Sequence, residues 1–351
     1  MRRVSIRSAR EGQVLALPVV NQHGATVAPR GCSLTVSMID RLKRHGVQRI
    51  FVEDPGFAGI ECREGLDAAT YSELQGFLER LVEGVQEEMD LRPFVRELHA
   101  WSIRMSDEVQ NAPGSFLLYP NEGDTFHRWM AHTVNVALLA ARALLLIGGK
   151  TQARYMVTAA LLMDLGMWHL DETTHFEFYL TGEAPAEKFG RHVEVSLALA
   201  HTSPGLPSYV KAIVAQHHER CDGSGYPKAL TSESIHPLAR VMAVVDSYVA
   251  QTQRERSPLL PHDAMEWLMA GVGFEFDHTA VKAFRNAVHP YPVGVEVELD
   301  SGERGVVTGV RGALLSRPSV RVLWDAAGRE VRPYYEIDLA QETTKSIKKV
   351  L

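Results

Sequence analysis

The chain has 351 residues, 45% of them hydrophobic and 23% charged, an ordinary composition for a folded protein large enough to hold more than one unit. Its formal net charge of −6 excludes DNA as the main partner, while a small anion held by local charge stays open. Cys32, Cys62 and Cys221 are scattered and odd in number, so they build neither a disulfide framework nor a CxxC metal motif and point to a reducing, cytoplasmic setting.

The amino-terminal stretch MRRVSIRSAR is basic, but no apolar run follows it, so no signal peptide is expected. Residues 14–20 and 26–28 read as two short strands joined by a turn-rich spacer. Residues 33–45 follow as an amphipathic helix stopped by Gly46, and 49–52 as a further strand. Segment 1–54 is therefore expected as a small α/β domain, a place for a protein partner to bind. Segment 55–111 is expected as a linker and helical connector. Within it, Leu74, Phe77, Leu78, Leu81 and Val82 recur at helical spacing, a surface suited to connection or to a homodimer.

A series of apolar helices is predicted over 126–146, 151–165, 186–200, 209–217, 237–252, 262–269 and 278–288. The longest apolar run, 134–148, carries Arg142 and is shorter than the roughly 20 residues of a membrane span, so no membrane segment is expected. Beyond Pro290 the pattern alternates, and 293–299, 304–310 and 319–324 read as strands with hairpin signals at 300–302 and 326–328. The predicted fold is mainly α: a helical domain over 112–290, flanked by the α/β unit and by a β-rich element over 291–342, with a polar, frayed tail at 343–351.

The informative residues interrupt buried helices. Asp164 lies in the run AALLMDLG and Asp246 in VMAVVDSY. A carboxylate there is costly unless it is paired, protonated or bound to a cation, and no Lys or Arg stands at helical spacing inside either run. Alone, each would read as a helix-cap or salt-bridged acid. Histidines supply a shared explanation: His217 and His218 end an apolar helix, His192 begins the one before, and His132 sits on the long apolar helix. Adjacent histidines diverge by roughly 100° on a helix, so the pair can serve two cations or line one cavity. Imidazoles with carboxylates are the ligand set of Fe, Mn or Zn hydrolytic centres. The glycine-bearing loop after the histidines ends in Tyr226, which can stack on a base or donate to a phosphate.

Residues 217–227, HHERCDGSGYP, resemble the HHExxDGxGYP signature of HD-GYP proteins, and 235–240, IHPLAR, is similar to the IPxxAR segment of the same family. The resemblance continues to Asp246 and back to His192 and His132, about half of the chain. It implies an HD-domain-type helical bundle and a bacterial cyclic di-GMP signalling protein with a metal-dependent phosphodiesterase domain. By position it makes His132, Asp164, His192, His217, His218 and Asp246 metal ligands, with Asp164 also the catalytic residue. Gly225 and Tyr226 fall in the substrate-binding loop, and Arg254 or Arg256 takes up a phosphate contact.

Departures qualify that expectation. The family's HDxGK stretch reads Met163-Asp164-Leu165-Gly166-Met167, so a histidine ligand and a lysine are both methionine. Thioether sulfur is a poor ligand for hard divalent ions. Members with three metals carry a glutamate where Arg128 stands here, so one or two ions, Fe or Mn, are expected. His127, His169 and His175 lie close enough in sequence to substitute as ligands. Hydrolysis is expected to be weak or lost, the alternative being a non-catalytic cyclic di-GMP receptor or a protein-interaction module.

Overall fold

The computed structural model describes residues 1–20, 25–111, 114–147, 149–170, 177, 186–310 and 314–351. The chain forms two compact units.

The first unit gathers Met1–Gly76, Gly114–Leu118 and His289–Leu351. Strands β1 (Arg2–Ser5) and β4 (Arg49–Val52) pair antiparallel, as do β2 (Val19–Val20) and β3 (Thr26–Ala28). Helix α1 (Val36–Arg44) starts where the Thr35 side chain accepts from the Met38 N–H, so the predicted start at 33 lies two residues before the cap. It turns Ile39 and Leu42 onto Leu15, Leu34, Ile50 and Val52. A five-stranded antiparallel sheet runs in the order β8-β7-β6-β5-β9, made of Glu330–Asp338, Ser319–Trp324, Arg304–Gly309, Glu296–Leu299 and Ile347–Val350.

Segment 1–54, which the sequence sets apart, belongs to the same compact unit as these strands. Phe51 and Phe57 share one apolar cluster with Val306 and Leu323, and Arg2 forms a two-pronged pair with Glu296 at 2.6 and 2.8 Å. The predicted tail at 343–351 is corrected: Ile347–Val350 is a strand pairing with β5, with Ile347 buried opposite Leu299. A single buried residue among Lys345, Lys348 and Lys349 gives no alternation to read, and such lysines mark a sheet edge. The opposite edge, β8, also escapes sequence reading, because Pro333 and exposed positions mask its strand character.

The second unit gathers Phe77–Pro113 and Tyr119–Val288 and is a helical bundle. Helix α2 (Ala68–Glu88) runs into it, and α3 (Val95–Asn111) packs within it through Leu98, Trp101, Met105 and Val109. The stretch read as a connector is therefore in part bundle. Helix α4 (Thr125–Leu145), capped by the Asp124 carboxylate accepting from the His127 N–H, is buried almost all round, the mark of a central helix. Around it stand α5 (Lys150–Met163), α6 (Ala186–Thr202), α7 (Ser208–Gln216), α8 (Pro237–Gln253), α9 (Pro261–Ala270) and α10 (His278–Ala287). Helices α5 and α8 each pack on both α4 and α7, and α6 packs on α7, which turns five polar side chains and the residue after α5 toward one another. No described helix is long and apolar enough to cross a membrane.

Candidate metal centre

His132 comes from α4, Asp164 from the end of α5, His192 from α6, His217 and His218 from the end of α7, and Asp246 from α8. All six are buried. They form two groups sharing Asp164. In one, Asp164, His192, His217 and His218 each offer a ligand atom within 4.8 Å of the others, and in the second His132, Asp164 and Asp246 do so. All six residues singled out from the sequence thus come together.

Asp164 is the pivot. It caps the carboxy-terminal end of α5, where the helix dipole already places partial negative charge, so a carboxylate is doubly unfavourable there without a cation. Its Oδ1 lies 3.4 Å from His192 Nε2 and 3.6 Å from His217 Nε2. Its buried Oδ2 finds no hydrogen-bond partner among the described residues, with His132 Nε2 at 3.8 Å. Burial pushes the Asp164 carboxyl up, but hydrogen bonding with His192 and His217 overrides this and holds it well below the ordinary carboxylate range. It is therefore anionic in the core.

Helix backbone orients two of the imidazoles. His192 Nδ1 bonds to the Phe189 carbonyl, and His217 Nδ1 bonds to the Val214 carbonyl at 2.8 Å. Since a carbonyl only accepts, each Nδ1 carries a hydrogen, and each ring turns its Nε2 toward Asp164. Those two Nε2 atoms lie 3.3 Å apart, facing the same carboxylate oxygen. Two imidazole nitrogens converging on one buried carboxylate are arranged as ligands of a shared cation, and a backbone carbonyl behind each imidazole is the usual support of a metal-ligating histidine. The donor set thus fits a divalent metal. Burial, then repulsion from His217 and His192, holds the His218 imidazole well below its ordinary value, leaving a neutral ring with a lone pair. His132 goes the other way: burial lowers it, but the 2.9 Å hydrogen bond to Asp246 Oδ1 and the nearby Asp164 charge raise it. Asp246 Oδ2 reaches toward His218 Nδ1 at 3.8 Å, so Asp246 spans both histidines.

Two glycines allow this crowding. A Cβ on Gly166 would meet the His192 carbonyl oxygen at 2.1 Å, and the Gly166 N–H donates to Ser196 Oγ at 2.8 Å, which locks the turn after Asp164 onto α6. A Cβ on Gly225 would meet Arg220 N at 2.3 Å and the His218 carbonyl oxygen at 2.4 Å. Tyr226 consequently folds back, its N–H donating to the His218 carbonyl at 3.2 Å and its ring stacking on the His218 imidazole with centroids 4.8 Å apart. Its hydroxyl is buried without a hydrogen-bond partner among the described residues, and burial followed by the Asp246 charge raises its pKa, so it stays an O–H donor.

Sequence reasoning missed Glu219. Its buried carboxylate accepts from the Lys228 and Leu230 N–H groups, both at 2.8 Å, and so clamps the loop that carries Tyr226. The signal present in the sequence is the acid directly after the paired histidines in the run HHE. Arg220 was also passed over. It lies over the Phe276 ring and donates to Ser247 Oγ at 3.0 Å, beside Asp246.

The remaining positions belong to neither ligand group among the described residues. Met163 and Met167 are both buried. Arg128 is anchored to Glu255 at 2.9 Å and to the Gly123 carbonyl at 3.1 Å, which leaves a cation where a third site would need a carboxylate. Arg254 ends α8, about 12 Å along the helix from Asp246 at eight residues' distance, and its Nε donates to the Ser257 carbonyl at 2.9 Å. Arg256 is exposed beyond it. His127 pairs with Asp124 at 2.7 Å, and neither it nor His169 joins a ligand group among the described residues. His175 lies outside the described residues.

Two family models match the chain. A family described as HD domain matches residues 124–279, and a KOW domain associated with HD domain matches 296–351. A cyclic di-GMP phosphodiesterase of Pseudomonas aeruginosa is 31% identical over 249 residues, which are 67% of this chain and 59% of that protein. The chain thus spans about three fifths of that relative's length. A 3'3'-cGAMP-specific phosphodiesterase of Vibrio cholerae is 29% identical over 159 residues, 43% of this chain and 30% of that protein. Among solved structures, an HDG"Y"P protein from Bdellovibrio bacteriovorus aligns with a TM-score of 0.48 at 16% identity, covering 81% of this chain and 98% of that one.

Proposed function

The chain belongs to the HD-GYP family, and on that premise we propose that its six-residue cluster holds one or two divalent ions, Fe or Mn, beside a site for cyclic di-GMP. The observation that carries this reading is the buried Asp164 carboxylate facing two converging imidazole nitrogens, with its Oδ2 unpartnered among the described residues. Asp164 is the shared ligand of both groups, and in a hydrolytic member it would be the catalytic carboxylate. A divalent ion there supplies a water acidified toward neutrality and a positive charge for phosphoryl oxygens.

The protein's own groups handle the nucleotide. The Tyr226 hydroxyl donates to a phosphate oxygen or a base edge, with its ring already fixed on His218. Gly225 lets the loop backbone approach the ligand, and Arg254 or Arg256 contacts phosphate from the end of α8. Hydrolysis is weak or lost. Met163 removes a nitrogen ligand from the group that keeps His132, Asp164 and Asp246, and Met167 removes a cation that would offset charge growing on the phosphoryl oxygens. The protein then acts as a receptor for the nucleotide in the bacterial cytoplasm, where its three free cysteines stay reduced, and passes the signal to a protein partner through the amino-terminal segment.

Calorimetric titration with cyclic di-GMP tests this reading. Binding by the metal-loaded chain and its loss in Tyr226→Ala support the receptor. Hydrolysis at ordinary metallohydrolase rates would overturn the receptor reading, and no binding at all would leave a protein-interaction module.

A further inference from the structure

One face of the bundle carries an unused basic groove. Between α9 and α10, Met269, Val272 and Val281 line an open hollow of about 310 Å³ rimmed by His278, Lys282 and Arg285. The three basic residues stand at i, i+4 and i+7 on α10, so they form one row along two turns. Lys282 and Arg285 are exposed and make no ion pair or hydrogen bond among the described residues. A basic row with no acid paired to it among the described residues, bordering apolar side chains, is complementary to an acidic surface. Met269 at the groove is 46% exposed, and Phe274 in the adjoining turn is 70% exposed.

The complementary surface is on the same molecule. At the end of α2, Glu83 and Glu87 are exposed and likewise unpaired among the described residues. The helix stops at Glu88, and the next residue, Met89, has a positive φ of 52° and is 38% exposed. Glu83 and Glu87 are four residues apart, about 6 Å along the helix, the same spacing as His278 and Lys282. Methionine is unbranched and adaptable, so it fits an irregular apolar hollow of this size.

We infer that a second copy of this chain docks here, with Met89 in the groove of its neighbour and Glu83 and Glu87 against the row of Lys282, His278 and Arg285. This assembly is independent of the nucleotide reading. Because the two surfaces differ, each chain offers both an acidic edge and a basic groove, and closure requires reciprocal exchange or a ring.

Sedimentation analysis of the full chain tests it. Wild type should self-associate at low salt and dissociate as salt approaches about 1 M, where screening shortens to about 3 Å. Lys282→Glu with Arg285→Glu should weaken association about tenfold or more, as should Glu83→Lys with Glu87→Lys. Mixing the two double variants should restore association, since the reversed groove of one then meets the reversed edge of the other. Circular dichroism confirms folding, because all four side chains are exposed. A monomer at low salt and high concentration, association indifferent to both reversals, or a mixture that stays apart would each overturn the inference.

Discussion

The chemistry at Asp164 turns on its two flanking methionines. Met163 and Met167 are buried, where the family pattern places a ligand nitrogen and a cation. The double substitution Met163→His, Met167→Lys should raise cyclic di-GMP hydrolysis by one or more orders of magnitude, read by nucleotide turnover on metal-loaded protein. Replacing buried methionines costs stability, about 1–3 kcal/mol, so thermal unfolding must be followed alongside. The cluster also fixes a pH dependence. In the metal-free protein His132 holds its proton to higher pH than an ordinary histidine, because Asp246 and Asp164 outweigh burial. A ligating imidazole must be neutral, so metal uptake displaces that proton, and affinity should weaken steadily as pH falls through the raised His132 value. Metal titration across that range measures it, and a pH-independent affinity would remove His132 from the ligand set. These residues were legible in the sequence because each is a polar interruption of an apolar helix, which has few physical excuses. Arg254 and Arg256 were not fixed that way. Charge at a helix end is common, and nothing local says where it points.

At the scale of elements, the loop after α7 is shaped by backbone contacts that a sequence pattern shows only in part. Gly225 reads as permissive in the sequence, but its necessity comes from packing against Arg220 and His218 backbone, visible only once the chain folds back. Glu219 holds the same loop from inside. Glu219→Ala should leave the Lys228 and Leu230 N–H groups without their acceptor and cost about 1–3 kcal/mol. It should also weaken nucleotide binding while leaving metal content near that of wild type. Comparing melting temperature, metal content and affinity in that one variant separates loop positioning from ligation. The helices of the bundle were readable to within a few residues, since their apolar period is strong. The edge strands β8 and β9 were not, because edges are exposed, lysine- or proline-bearing and held by pairing that lies far off in sequence.

For the whole molecule, division into units follows contacts that no local signal encodes. The Arg2–Glu296 pair and the cluster of Phe57 with Leu323 join segments almost three hundred residues apart, so a boundary drawn at residue 54 had no sequence cue to correct it. The six cluster residues likewise come from five helices and their ends, spread over more than a hundred positions, yet they close into two groups around Asp164. We assign this closure as a metal centre with room for one or two ions. Elemental analysis of purified chain after anaerobic loading with Fe or Mn tests it directly, with His218→Ala beside the wild type. One or two equivalents per chain, falling in the variant, is the predicted result. No retained metal, three equivalents, or a content unchanged by the loss of His218 would contradict it.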